Sequence, residues 1–334
     1  DVYQKYVKDL LQPKVKMPTT IGYGNGYQIS YMNSGKMTNK GWEFRVDAVP
    51  FQNKDWRVGV YFNIAHNENK ITEMPDNYIE ENYTFGNGNY AYRREEGRPM
   101  GSFYGYRYKG VYQNKDATYA RDIEGNVMKD ISGNAIVMRN GSYTVAPGDA
   151  IYEDVNHDGV INQYDIVYLG NSNPRLTGGA GLNVSYKQFK LSAIFYGRYG
   201  QDVVNATRLN NESMRGIDNQ STAVLRRWRN EGDQTDIPRA LYGEGYNTLG
   251  SDRFVEDASY LRLKSLSFTY RLPKKAIQRW GFNNIDVYVT GYNLFTWTKY
   301  TGQDPEVKTE NTYARDTATT PASIQLVAGF NLSF

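Results

Sequence analysis

The residues most able to do chemistry lie in one twelve-residue stretch, Asp154-Val155-Asn156-His157-Asp158-Gly159-Val160-Ile161-Asn162-Gln163-Tyr164-Asp165. Oxygen donors fall at loop positions 1, 3 and 5 (Asp154, Asn156, Asp158), and Gly159 at position 6 suits a sharp turn. The Val160 carbonyl would stand at position 7, Asn162 at 9, and Asp165 closes the loop at 12. A hard cation needs converging oxygens, and calcium tolerates irregular geometry. The expectation is therefore a structural Ca2+ held by Asp154, Asn156, Asp158, Val160, Asn162 and Asp165. The last ligand departs from the usual pattern, being the shorter Asp where a bidentate Glu is common. The competing reading is an Asx-rich turn whose side chains bond their own backbone.

Little else suggests catalysis. There is no Cys, which removes disulfides, thiolates and Cys-bound zinc. The only histidines are His66 and His157, the second inside the calcium-type loop. No nucleophile motif, phosphate loop or zinc pair occurs, and nothing pairs the carboxylates as a glycosidase would require. No catalytic and no cofactor-binding residue is expected, and the chain is not expected to be an enzyme. Arg93, Arg94 and Arg98 flank Glu95-Glu96 and suit salt bridges on a wall ahead of an anionic substrate. Arg226, Arg227, Trp228 and Arg229 suit a solvated basic helix or turn. Net charge is +3 with the signs interspersed, which is no nucleic-acid footprint.

The elements that would carry these residues are strands. From Ser323 to Phe334 the chain alternates strictly: Ile324, Leu326, Ala328, Phe330, Leu332 and Phe334 share one face. The same period recurs at Trp42–Ala48, Trp56–Ile64, Ala180–Tyr186, Phe189–Phe195, Leu266–Leu272 and Ile285–Val289. Tyr104, Tyr106 and Tyr108 suggest another strand, with one before it near Tyr90–Arg94 and one more at Tyr3–Leu11. That makes roughly ten strands. Asn293 interrupts its oily row, which a bulge or the rim would explain.

Mean hydropathy is −0.69, too polar for a helical membrane protein, and no apolar run is long enough for a membrane helix. A transmembrane barrel needs only one oily face per strand. Short links (50–55, 95–100, 186–189, 273–284) alternate with long polar stretches (12–40, 65–88, 113–177, 198–258, 298–322). Long loops without regular structure are uncommon in compact soluble domains, whereas short turns at one rim and long loops at the other are the outer-membrane barrel pattern. The parity of this scheme closes with 88–95 and 101–110 both taken as wall strands. Trp42, Trp56, Trp297 and Phe334 lie near strand ends and suit an interfacial aromatic girdle. Loop aromatics Tyr78, Tyr83, Tyr119, Tyr242 and Tyr246 suit loop packing first, and contact with substrate or a partner second. The chain opens at Asp1 without Met or signal sequence, as expected of a mature or internal start.

Several stretches together resemble the SusC/RagA-type TonB-linked outer-membrane transporters of Bacteroidota, in their C-terminal part. They are Asn39-Lys40-Gly41-Trp42-Glu43, Gly97-Arg98-Pro99-Met100-Gly101-Ser102-Phe103-Tyr104-Gly105-Tyr106, Pro147-Gly148-Asp149, and Asp154 to Gly159. They continue with Gly170-Asn171-Ser172-Asn173-Pro174-Arg175, Ser259-Tyr260-Leu261-Arg262-Leu263-Lys264, Asn293-Leu294-Phe295 and Asp304-Pro305-Glu306. The resemblance covers nearly the whole chain. It implies an all-β, transmembrane antiparallel β-barrel of about 22 strands with a plug, of which residues 1–334 would be the C-terminal portion, roughly ten strands with long extracellular loops. The plug and the TonB-contacting segment have no counterpart here.

The implied function is TonB-dependent import of an oligomeric nutrient across the bacterial outer membrane, glycan ahead of peptide, with a SusD-like surface lipoprotein as lid. The implied partners are that lipoprotein, TonB through the N-terminal part, the oligosaccharide or peptide, and the lipid bilayer. The alternative is a soluble or surface-attached β protein that binds or degrades glycans.

Overall fold

A computed structural model describes residues 1–16, 28–33, 35–74, 86–310 and 313–334. Its main element is an eight-stranded sheet whose spatial order is its sequence order. The strands are β1 (Val2–Lys8), β2 (Lys36–Gln52), β3 (Trp56–Glu73), β4 (Leu176–Tyr186), β5 (Phe189–Tyr199), β6 (Tyr260–Arg271), β7 (Asn284–Thr298) and β8 (Gln325–Ser333). Every neighbouring pair is antiparallel. β1 and β8 are the edges of the sheet.

Register aligns the oily positions into rows that cross the sheet. One row runs Phe51–Val58–Val184–Leu191–Phe268–Val289–Ala328. A second runs Ala48–Val60–Leu182–Ala193–Leu266–Gly291–Leu326. Neither row holds a charge, as a lipid-facing surface requires, since a mid-bilayer Lys or Arg costs about 2–4 kcal/mol. Between them on β3 to β7 the opposite face carries Gly59, Asn183, Ser192, Ser267 and Thr290, all small or polar. There Ser267 and Thr290 share a hydrogen bond of 2.8 Å, and the Ser192 hydroxyl donates to the Asn183 side chain.

Short and long connections alternate without exception along the eight strands. β2 and β3 are joined by residues 53–55, where the Asn53 side-chain oxygen accepts from the backbone N–H of Asp55 (2.9 Å) and Trp56 (2.8 Å). β4 and β5 are joined by Lys187-Gln188, with Lys187 at φ +50°. β6 and β7 are joined through a helical turn, Lys274–Ile277, and a 3-10 turn, Gln278–Trp280. β8 returns to this rim, its Ser333 pairing with Asn284 at the start of β7. The long connections 9–35, 74–175, 200–259 and 299–324 all leave and re-enter the sheet at the other rim.

Among the described residues the wall sheet therefore holds eight of the roughly ten expected strands. Residues 88–95 form no strand, and 101–110 contribute only Ser102–Gly105 and Tyr108–Val111, which pair outside the main sheet. Ser102–Gly105 is buried at every position, so the period-two pattern there reports a strand enclosed on both faces. The parity scheme closes without that pair. The link 95–100 also changes rim: the Ile71 N–H donates to the Arg98 carbonyl at 2.9 Å, and Gly97 returns the bond to Ile71 at 2.9 Å.

Asn293 sits in a bulge, at φ +52°, between the pairs Ser265–Tyr292 and Leu263–Phe295. Its side-chain amide leaves the oily row and donates to the Ser323 carbonyl at 3.1 Å. Aromatic residues collect at both rims. Trp56 lies 4.3 Å from Tyr186, and Phe334 lies 4.8 Å from Phe282, at the short-turn rim. Trp297 sits near Phe295 (6.1 Å) towards the long-loop rim, as does Trp42 beside His66 (6.0 Å).

Candidate functional site

The long connections pack into a cap with its own cores. One core gathers Tyr104, Tyr106, Tyr112, Met138, Tyr152, Ile161 and Leu249. A second joins Tyr90, Phe103, Val204, Leu209 and Phe254, and a third joins Val203, Tyr300, Val307 and Ala314. Three of the four long connections thus bury apolar surface against one another. Burial drives the phenols of Tyr90 and Tyr152 well above their usual value, so both stay neutral, the first as a donor and the second as an acceptor. Tyr90 donates to the Ser251 carbonyl (2.8 Å), and the Leu249 N–H donates to the Tyr152 oxygen (3.0 Å).

Two ionic centres bind the cap together. Asp149 is fully buried and accepts from Tyr143 Oη (2.9 Å), the Ala146 N–H (2.8 Å), Asn247 Nδ2 (3.1 Å) and Arg239, through Nε at 2.7 Å and Nη2 at 3.2 Å. Burial, then the Asp149 charge, push the Tyr143 phenol up to about 12. Its ring stacks on Tyr246 at 4.7 Å. The neighbouring Gly148, at φ +89°, lies against the Trp228 ring, where a Cβ would fall 2.3 Å from Trp228 Cε3.

The other centre stands on the polar face of the sheet. Arg262, 3% exposed, donates to Thr296 Oγ1 (2.8 Å), Asp304 Oδ1 (2.5 Å) and Glu306 Oε2 (2.9 Å). Lys264 adds a bond to the same Glu306 oxygen at 2.9 Å. The two motifs around Arg262 and Asp304 thereby join, and connection 299–324 is fastened to β6.

Burial alone would raise the Asp304 carboxyl. The Ala322 and Glu306 N–H groups and the Arg262 guanidinium outweigh it and hold the carboxyl below its usual value. A depressed folded value adds stability above the unfolded value, and that stability is lost as pH falls through the folded one. Protease resistance of connection 299–324 is expected to hold at about pH 5 and to fall towards about pH 3. A profile flat over that window would remove Asp304 from the account.

The calcium-type loop is well ordered by its own bonds. Asp154 accepts from the N–H of Gly159 (2.8 Å) and Asp158 (3.3 Å), and Asp158 accepts from Val160 (2.8 Å). Asp165 is fully buried and accepts from Val155 and Asn162, each at 2.8 Å. Asn162 Oδ1 accepts from Tyr164 (2.9 Å), and its amide donates to the Val160 carbonyl (3.0 Å). Asn156 bonds Asp158 at 2.8 Å. These are the backbone contacts of an Asx-rich turn. Among the described residues no group of three His, Asp or Glu side chains is gathered to hold a metal. A cation here needs the Asn156 and Asn162 amides and the Val160 carbonyl as well. Each carboxylate oxygen that accepts one N–H retains a second lone pair for it.

The other expected residues are dispersed. Arg93 and Arg98 lie over the rings of Tyr104 (5.8 Å) and Tyr168 (4.2 Å), so aromatic faces replace the expected carboxylates. Arg94 is part-buried between them in sequence. Arg226 ends a 3-10 turn, Thr222–Arg226, while Arg227 and Arg229 cap its carbonyls at Val224 (3.3 Å) and Leu225 (3.1 Å). Tyr119 is half-buried and Tyr242 exposed, while Tyr78 and Tyr83 lie outside the described residues. Sequence reasoning missed a tandem repeat, Asp122-Ile123-Glu124-Gly125-Asn126 and Asp130-Ile131-Ser132-Gly133-Asn134. In each copy the Asp accepts from the backbone of the Asn at 2.8 Å. Self-comparison at an eight-residue shift would have found it.

No family model matches the chain. It is 32% identical over 318 residues to TonB-dependent receptor P3 of Formosa agariphila, covering 93% of this chain and 29% of that protein. It is 28% identical over 343 residues to the TonB-dependent receptor SusC of Bacteroides thetaiotaomicron, covering 100% of this chain and 30% of that protein. The fold matches the RagAB peptide importer in its 'closed-closed' state with a TM-score of 0.70 and 26% identity, over 100% of this chain and 33% of that one. The chain thus spans about a third of the length of the proteins it matches. These relatives are receptors and transporters, not enzymes. Its eight-stranded sheet accordingly corresponds to part of the barrel wall of those proteins. The chain is a homologue of the TonB-dependent receptors, SusC among them, and corresponds to the C-terminal part of those longer proteins.

Proposed function

We propose that this chain supplies wall and outer loops to a TonB-dependent importer of the bacterial outer membrane. Its cargo is an oligomeric nutrient, glycan ahead of peptide, captured under a SusD-like surface lipoprotein. The observation that carries this reading is the pairing of an uncharged oily face with a single rim bearing every long loop. Lipid covers the first, and the second is free to meet cargo and lid. A peptide cargo is the second reading, favoured by the likeness to the RagAB peptide importer.

Native mass spectrometry of the full-length protein, extracted from outer membranes in mild detergent, tests this. A co-purifying lipoprotein and an oligosaccharide mass are expected, and a peptide mass would select the second reading. A species that is soluble without detergent and alone would overturn both.

The loop Asp154–Asp165 is proposed to take Ca2+ through Asp154, Asn156, Asp158, Val160, Asn162 and Asp165. Calcium at about tenfold its Kd adds about 1.4 kcal/mol to the bound form. The loop's own hydrogen bonds leave it folded without the ion. A raised thermal midpoint in calcium over chelator is expected for the parent protein and not for Asp158→Ala. Equal midpoints in calcium and chelator would end this proposal.

A further inference from the structure

The oily face carries a groove of 720 Å³ near the long-loop ends of β3 to β7. Its floor is small: Gly178, Ala180 and Gly197 face outward where neighbouring rows carry Leu, Val or Phe. Phe62, Phe195, Leu261 and Trp297 wall it, all from the same face. Gly178 and Gly197 lie against backbone carbonyls of the next strands, where a Cβ would fall 2.7 Å from the oxygens of Asn63 and Tyr260. Close strand contact therefore keeps this floor low.

The mouth is polar. Asp257 is occupied by Ser259, which donates to it through its backbone N–H at 2.8 Å and through its hydroxyl. Lys299 is exposed and makes no ion pair among the described residues. Arg198 and Lys299, set against the single carboxylate Asp257, leave the charged lining with a net positive charge, so the slot matches an amphiphile with an acyl chain and an anionic head.

We propose that this groove holds one acyl chain of an anionic outer-leaflet glycolipid of the lipid A type, with its phosphate on Lys299. The occupant follows from position. The groove is continuous with the lipid-facing rows, lies within the sheet away from both edges, and opens towards the rim that carries the long loops. This rests on the membrane-wall reading above.

The test uses the full-length protein in mild detergent, titrated with lipid A and followed by native mass spectrometry. One retained lipid A per protein is expected. Ala180→Trp, which fills the slot, should abolish retention, and Lys299→Glu should weaken it at least about fivefold, the effect of one cation at an anionic surface. Ala328→Trp, on the same oily face outside the groove, should leave it unchanged. Equal retention by the parent protein and Ala180→Trp, or retention of phosphatidylglycerol as strong as that of lipid A, would overturn the proposal. A protein that stays monodisperse without detergent would instead overturn the wall reading beneath it.

Discussion

Arg262→Ala is expected to release connection 299–324 and to cost about 3–5 kcal/mol, the range for breaking a buried ion pair by removing one partner. The side chain is 3% exposed and serves three acceptors at once, Thr296, Asp304 and Glu306. Its loss leaves two carboxylates facing each other on the polar face of the sheet, with only Lys264 to offset them. Asp304 and Glu306 keep 17% and 27% of their side-chain exposure, so water can reach them and the lower half of the range applies. Arg262→Lys should recover little, because one ammonium cannot reproduce the guanidinium fork. Denaturant unfolding in detergent, with proteolysis of 299–324 as the local readout, measures both variants. Parent-like protection in Arg262→Ala would show that the two motifs are neighbours without being coupled.

Asp149→Ala should be similarly severe, at about 3–5 kcal/mol. The carboxylate is fully buried and is the common acceptor for Tyr143, Ala146, Arg239 and Asn247. Removing it strands an Arg charge and three further donors in the cap, each unsatisfied neutral donor costing about 1–3 kcal/mol before relaxation. Arg239 keeps 31% side-chain exposure and can turn partly to water, which limits the total. Asp149→Asn retains the shape and one acceptor oxygen, so it should fall between. Hydrogen exchange at Ala150, whose N–H is held by Asn247 at 2.9 Å, provides a local readout. Unchanged exchange there in Asp149→Ala would contradict this role.

The wall was largely legible because a half-buried strand repeats every two residues, and all seven alternating segments fall in strands of the sheet. The Tyr104-Tyr106-Tyr108 segment misled for a physical reason. Alternation reports an extended backbone but not which sheet it joins, and Tyr suits lipid interface and protein core alike. Its burial among Tyr152, Leu249 and Ile166 comes from loops far along the chain. The two ionic centres were hidden similarly. Pro147-Gly148-Asp149 and Asp304-Pro305-Glu306 stood out as motifs. Their partners, Arg239 and Arg262, lie 90 and 42 residues away, and no local pattern records such a pairing. Asn293 was the reverse case, since a single break in an oily row marked the bulge directly.

The central claim is that one face of the eight-stranded sheet meets lipid and the other meets water. These 334 residues contain no Cys, so a single cysteine placed among them is read against the parent protein labelled in parallel. Labelling of Phe268→Cys and Val289→Cys against Ser267→Cys and Thr269→Cys by a water-soluble maleimide, in native membranes, tests it most directly. The first pair should be protected and the second reactive, with a lipid-borne quencher reversing the order. Equal labelling of all four positions, or protection of 267 and 269 alone, would contradict the assignment of faces and the barrel wall built on it.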